Sequence, residues 1–132
     1  MNFIRFFSFW VTPKKKITLA NRLDHLIETE SVYTYPNFSL ALLEEMAGSN
    51  QKLINEVLNE LYQQSFFELK RSKRINYLKH LIIKEGENKS LSYYVTCCGY
   101  SESESMFQDL KLETGLDFED FCRYNINVFN QK

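Results

Sequence analysis

Between Lys70 and Lys89 the chain carries seven bases, Lys70, Arg71, Lys73, Arg74, Lys79, Lys84 and Lys89, against Glu85 and Glu87, a local net charge of +5. Cations at that density can neutralise nucleic-acid phosphates, the interaction that supplies most sequence-independent affinity. The plainer alternative is a solvated helix face. From Ser101 to Asp120 the balance reverses. Glu102, Glu104, Asp109, Glu113, Asp117, Glu119 and Asp120 stand against Lys111 alone, a local net of -6. Acids near helix N-termini stabilise their helices, yet their sum opposes a polyanion. The whole 132-residue chain has a formal net charge of -1, so its charge is polarised along the sequence and not basic throughout.

Other chemistries find little to work with. The two histidines, His25 and His80, lie far apart in sequence, and the three cysteines are Cys97, Cys98 and Cys122. Adjacent cysteines on a helix point to different faces, which suits neither a metal site nor a disulfide. A reducing compartment fits an odd, unpaired thiol set. No nucleophile with a nearby base and no phosphate-cradling glycine loop is present. The expectation is a cytoplasmic non-enzyme without metal or cofactor.

Phe3, Ile4, Phe6, Phe7, Phe9, Trp10 and Val11 form an apolar run interrupted by Arg5 and closed by Pro13-Lys14-Lys15-Lys16. The run falls short of the about 20 residues needed to cross a bilayer. An interfacial anchor, an element covering a partner surface and the end of a preceding segment are all compatible with it. It reads as a docking segment on a basic tether, suited to a protein partner or to self-association. The resulting organisation is an aromatic and basic segment over 1–16, a domain over 17–125 and a tail over 126–132.

The elements that would position these residues are helices. Only 4 Gly and 2 Pro occur, too few for a turn-rich β fold. Leu19, Leu23, Leu26 and Ile27 recur at i, i+4, i+7 and i+8, which predicts an amphipathic helix to about Glu30. Ser39 can cap a helix stopped at Gly48. Asn50 can cap the next, with Leu53, Ile54, Val57, Leu58 and Leu61 inward. Ser65-Phe66-Phe67-Glu68 has the form of a capping box opening a long basic helix that ends at Gly86. Ser90 opens a short helix stopped at Gly99, Ser101 to Glu104 offer caps for one ending at Gly115, and Asp117 caps the last.

The two halves repeat. Ser39-Leu40 against Ser90-Leu91 and Gly48 against Gly99 share an offset of 51; Ile54 against Met106, Leu58 against Leu110, Phe66 against Phe118 and Leu69 against Phe121 share 52. One inserted residue in the turn accounts for the change. Each copy is a short helix, a glycine turn, a second helix and a capped third, the outline of a helix-turn-helix. The expected fold is therefore all-α, about seven helices, with two homeodomain-like helix-turn-helix subdomains joined by a long linker helix.

Three stretches carry a family resemblance: Asn50-Gln51-Lys52-Leu53-Ile54-Asn55 running to Asn59; Lys73-Arg74-Ile75-Asn76-Tyr77; and Gly99-Tyr100-Ser101 continuing to Glu113-Thr114-Gly115-Leu116. From about Leu19 to Asn125 the sequence resembles the DNA-binding domain of AraC-type transcription regulators, particularly the Bacteroidetes version. The resemblance implies sequence-specific binding of double-stranded DNA. It would place Gln51, Lys52, Asn55 and Glu56 of a first reading helix, and Ser103, Glu104, Phe107, Gln108 and Lys111 of a second, toward DNA. Asn and Gln suit adenine edges, Lys suits guanine or phosphate, and Glu accepts from cytosine. Lys70 and Arg71 would meet phosphate, Arg74 would pack and orient the linker, and Gly48, Gly99 and Gly115 would form the turns.

Glu44 and Tyr94 stand where relatives tend to carry small alanines, and Met106 and Phe118 where they tend to carry Phe and Pro. Glu56 and Gln108 replace commonly basic positions. The competing expectation is a degenerate helix-turn-helix that serves as a protein-interaction module.

Overall fold

The computed structural model describes residues 14–130, so the aromatic run read as a docking segment and the last two residues of the tail lie outside the described residues. Among the described residues the fold is all-helical, with seven α-helices and no strand. In chain order these are α1 (Lys14–Asp24), α2 (Leu40–Ala47), α3 (Gln51–Tyr62), α4 (Phe66–Glu85), α5 (Leu91–Cys97), α6 (Ser103–Thr114) and α7 (Phe118–Asn130). A π-helical stretch, His25–Thr29, continues α1; 3-10 turns occupy Val32–Thr34 and Gly86–Asn88. The first described helix thus includes Lys14, ahead of the apolar periodicity that begins at Leu19, and the last described helix extends through Asn130, beyond the residues assigned from sequence.

These helices form two compact units, one of residues 14–32 and 37–69, the other of 33–36 and 70–130. In the first, Leu19, Leu23, Leu26 and Ile27 of the first helix, Leu43 of α2, and Ile54, Val57, Leu58 and Leu61 of α3 are all buried. In the second, Ile75, Leu78 and Ile82 of α4 join Tyr94 and Val95 of α5, Met106 and Leu110 of α6 and Phe121 of α7. Tyr94 is only 2% exposed where an alanine was the family expectation. Its ring lies 6.1 Å from that of Phe118, so two departures from the family pattern share one packing site.

Cap chemistry sets where the helices begin. The side chains of Ser39, Asn50 and Ser90 accept from the backbone N–H groups of Leu42, Leu53 and Tyr93. Asp117 accepts from Asp120 N at 2.9 Å. The capping box closes reciprocally, Glu68 N donating to Ser65 Oγ at 3.2 Å and Ser65 N to Glu68 Oε1 at 3.0 Å. Each such cap stabilises by about 1 kcal/mol. At α6 the N-cap is Glu102, whose side chain makes no cap bond.

The repeat is visible in these boundaries. Leu40 and Leu91 open α2 and α5 at an offset of 51, whereas Gln51 and Ser103 open α3 and α6, and Phe66 and Phe118 open α4 and α7, at 52. The extra residue falls in the turn of the second copy. Gly48 and Gly115 end α2 and α6 in the left-handed conformation, with φ of 69° and 76°.

The thiols are packing groups of different accessibility. Burial pushes Cys98 up to about 12 and Cys122 up to about 11, so both stay protonated near neutrality. Cys98 is fully buried, Cys97 and Cys122 half-buried. Alkylation by iodoacetamide at neutral pH is expected to spare Cys98 until denaturant is added, as read by mass spectrometry of digested protein. The unfolded chain ionises these thiols first, so their contribution to stability is complete below the ordinary value of 9.0 and falls away as pH climbs above it.

Candidate nucleic-acid interface

In α3 the residues divide cleanly by helical spacing. Ile54, Val57, Leu58 and Leu61 are buried, while Gln51, Lys52, Asn55, Glu56 and Asn59 are exposed along the opposite side. All four first-helix residues named from the sequence therefore share one solvent-facing strip. Amide, ammonium and carboxylate groups in such a strip are the donors and acceptors that read base edges in a major groove. Lys16, which sequence reasoning treated only as part of a tether, donates to Glu60 Oε1 at 2.9 Å and lies 4.0 Å from Glu56 Oε2. A cation beside Glu56 offsets part of the repulsion its carboxylate would exert on phosphate.

In α6, Met106 and Leu110 are buried, Glu104, Phe107, Gln108 and Lys111 are exposed, and Ser103 is half-buried. Phe107 is 36% exposed, and its ring centroid lies 5.9 Å from that of Phe118. It is therefore an edge-packing residue as well as a surface one.

The acidic run of this unit is largely engaged. Glu113 Oε1 accepts from Arg71 Nε at 2.8 Å. Asp109 Oδ2 accepts from the Tyr100 hydroxyl at 2.6 Å. Asp117 caps α7, and Glu119 and Asp120 both pair with Arg123 at 3.0 and 2.9 Å. Arg71 and Arg123 fall outside the sequence window that gave the net of -6, so a count along the chain overstates the local acidity. Glu102 and Glu104, at the start of α6, remain exposed.

The two residues named for phosphate contact are both half-buried. Arg71 must share or leave Glu113 to meet a phosphate. Burial holds Lys70 below the usual lysine range, Arg74 adds to this, and Asp109 opposes it. Arg74 itself is 3% exposed. Its Nε and Nη2 donate to the carbonyls of Tyr33 and Tyr35 at 2.7 and 3.0 Å, and its guanidinium sits 4.9 Å from the centre of the Tyr100 ring. The linkage spans 41 residues and has no local signature; only the family resemblance pointed to Arg74. Among the described residues no group of three or more His, Cys, Asp or Glu side chains is placed to hold a metal, and no helix is long and apolar enough to cross a membrane.

No family model matches the sequence, and no curated protein matches it. Two solved structures are similar in fold. A protein of unknown function from Listeria innocua superposes with a TM-score of 0.65 at 17% identity, covering 86% of this chain and 98% of that one. A DNA-binding transcriptional dual regulator from Escherichia coli K-12 superposes with a TM-score of 0.63 at 15% identity, covering 89% and 97%. At these identities the likeness shows a shared helical fold.

Proposed function

We propose that the chain is a DNA-binding transcription regulator of AraC type that reads duplex DNA through α3 and α6. The observation that carries this is the exposed strip Gln51, Lys52, Asn55 and Glu56 on a helix whose opposite side is fully buried. Its counterpart on α6 is Glu104, Phe107, Gln108 and Lys111. Recognition helices of helix-turn-helix proteins are braced from behind by their own unit in this way. The fold shared with a DNA-binding regulator supports the same reading. No catalytic step, metal or cofactor belongs to it, and its place is the cytoplasm.

Mobility-shift assays on duplexes selected from a random pool test the proposal. Asn55→Ala is expected to weaken the selected sequence by about 1–3 kcal/mol, the value of one good bidentate base contact. Its binding to unselected duplex should not change. Equal weakening on both would assign Asn55 to the backbone and remove base reading from α3.

A second reading, a helix-turn-helix turned to a protein partner, is favoured by the exposed apolar side chains of the second unit. Leu112 is 70% and Tyr124 61% exposed. Duplex binding that survives intact in a Leu112→Ser, Tyr124→Ser variant is the outcome the DNA reading requires.

A further inference from the structure

In the first unit the described residues carry five bases, Lys14, Lys15, Lys16, Arg22 and Lys52, against eight acids. Despite that acidic balance, all four lysines gather at one place. Lys14 and Lys15 line a cleft with Thr18, Arg22, Gly48 and Ser49, the turn that precedes α3. Lys15 and Lys16 line an adjoining cleft with Asn50, Lys52 and Glu56 at the start of α3. The base-reading strip therefore begins where the cations converge.

Helix stability does not explain the gathering. Three consecutive lysines in the first turn of α1 oppose the positive end of the helix dipole and repel one another. The acids of the same helical segment, Asp24, Glu28 and Glu30, begin about 12 Å further along at 1.5 Å per residue, toward the end where the dipole disfavours them. Charges arranged against the dipole are placed for something outside the helix. Lys16 is occupied by Glu60 and Glu56, whereas Lys14, Lys15 and Lys52 are exposed.

Resting on the DNA-binding reading above, we infer that Lys14 and Lys15, with Lys52 beside them, hold the phosphate backbone flanking the groove that α3 enters. Phosphate contacts of this kind fix register and orientation without reading sequence. They also supply, from the first unit, the attraction that the paired Arg71 and half-buried Lys70 do not freely offer.

The test is a salt titration of the full chain on a mixed-sequence duplex, followed by fluorescence anisotropy, for the natural protein and for K14Q/K15Q. Each phosphate contact contributes about 0.9 to the slope of log affinity against log salt, so the variant should lose about 2 from the slope. It should weaken on selected and unselected duplexes alike. Its melting temperature should stay or rise, because a dipole-opposed pair has been removed. Duplex binding by the variant with an unchanged slope would overturn the inference and leave the DNA reading standing. So would loss of binding to anionic vesicles with duplex binding intact, which would assign the lysines to a lipid surface. Failure of the natural protein to bind any duplex would overturn both.

Discussion

Gly99→Ala is expected to destabilise the second unit by about 3–5 kcal/mol, while Gly48→Ala, its counterpart in the repeat, costs about 1–2 kcal/mol. Both glycines have positive φ, 89° and 69°, so an alanine at either position pays for a left-handed backbone. Their surroundings then separate them. A Cβ on Gly99 would meet Thr34 O at 2.6 Å, Thr34 C at 2.9 Å and Arg74 Nη2 at 3.0 Å, whereas a Cβ on Gly48 or Gly115 meets nothing within 4 Å. Two of the three atoms crowding Gly99 are backbone, and the third belongs to a guanidinium already committed to two carbonyls, so none can give way cheaply. Urea unfolding followed by circular dichroism should rank Gly99→Ala well below Gly48→Ala and Gly115→Ala. Equal losses at all three would mean that the approach of residues 33–36 to Gly99 is not maintained in solution.

Arg74→Met is expected to cost about 3–5 kcal/mol in the same unit, since two charge-assisted hydrogen bonds are lost and two carbonyls are stripped of their partner. Methionine keeps much of the aliphatic volume, so the loss reports the guanidinium and not a cavity. Burial pushes the guanidinium below its usual range, with Tyr100 and Asp109 opposing that shift. Arg74→Lys should recover little, because a single ammonium cannot span Tyr33 O and Tyr35 O or lie flat over Tyr100. The two sites also share their target, so Arg74→Met combined with Gly99→Ala should cost less than the sum of the single losses. Strict additivity in chemical denaturation would contradict the picture of one clamp holding the segment 33–36.

What the sequence made legible was the local chemistry. Ser39, Asn50, Ser65, Ser90 and Asp117 announce helix starts because a cap is satisfied within three residues of itself. The offsets of 51 and 52 carry over to the helix boundaries because caps and glycines fix those boundaries. The extra helical residues at Lys14–Lys16 were not legible, since three lysines carry no apolar period. What eluded sequence reasoning in the candidate interface was long-range pairing. Glu113 finds Arg71 across 42 residues and Arg74 finds Tyr33 across 41, and no windowed charge count can anticipate either. The partner of Phe107, by contrast, is Phe118 of the next helix, which no spacing rule within α6 names.

Selection of the full chain against a random duplex library, with the recovered pool titrated at two salt concentrations, tests whether α3 and α6 read duplex DNA as proposed. The expected result is enrichment of a defined sequence, bound more tightly than the starting pool and released as salt rises. A pool that stays random after repeated rounds, with no salt-sensitive binding at any stage, would contradict it.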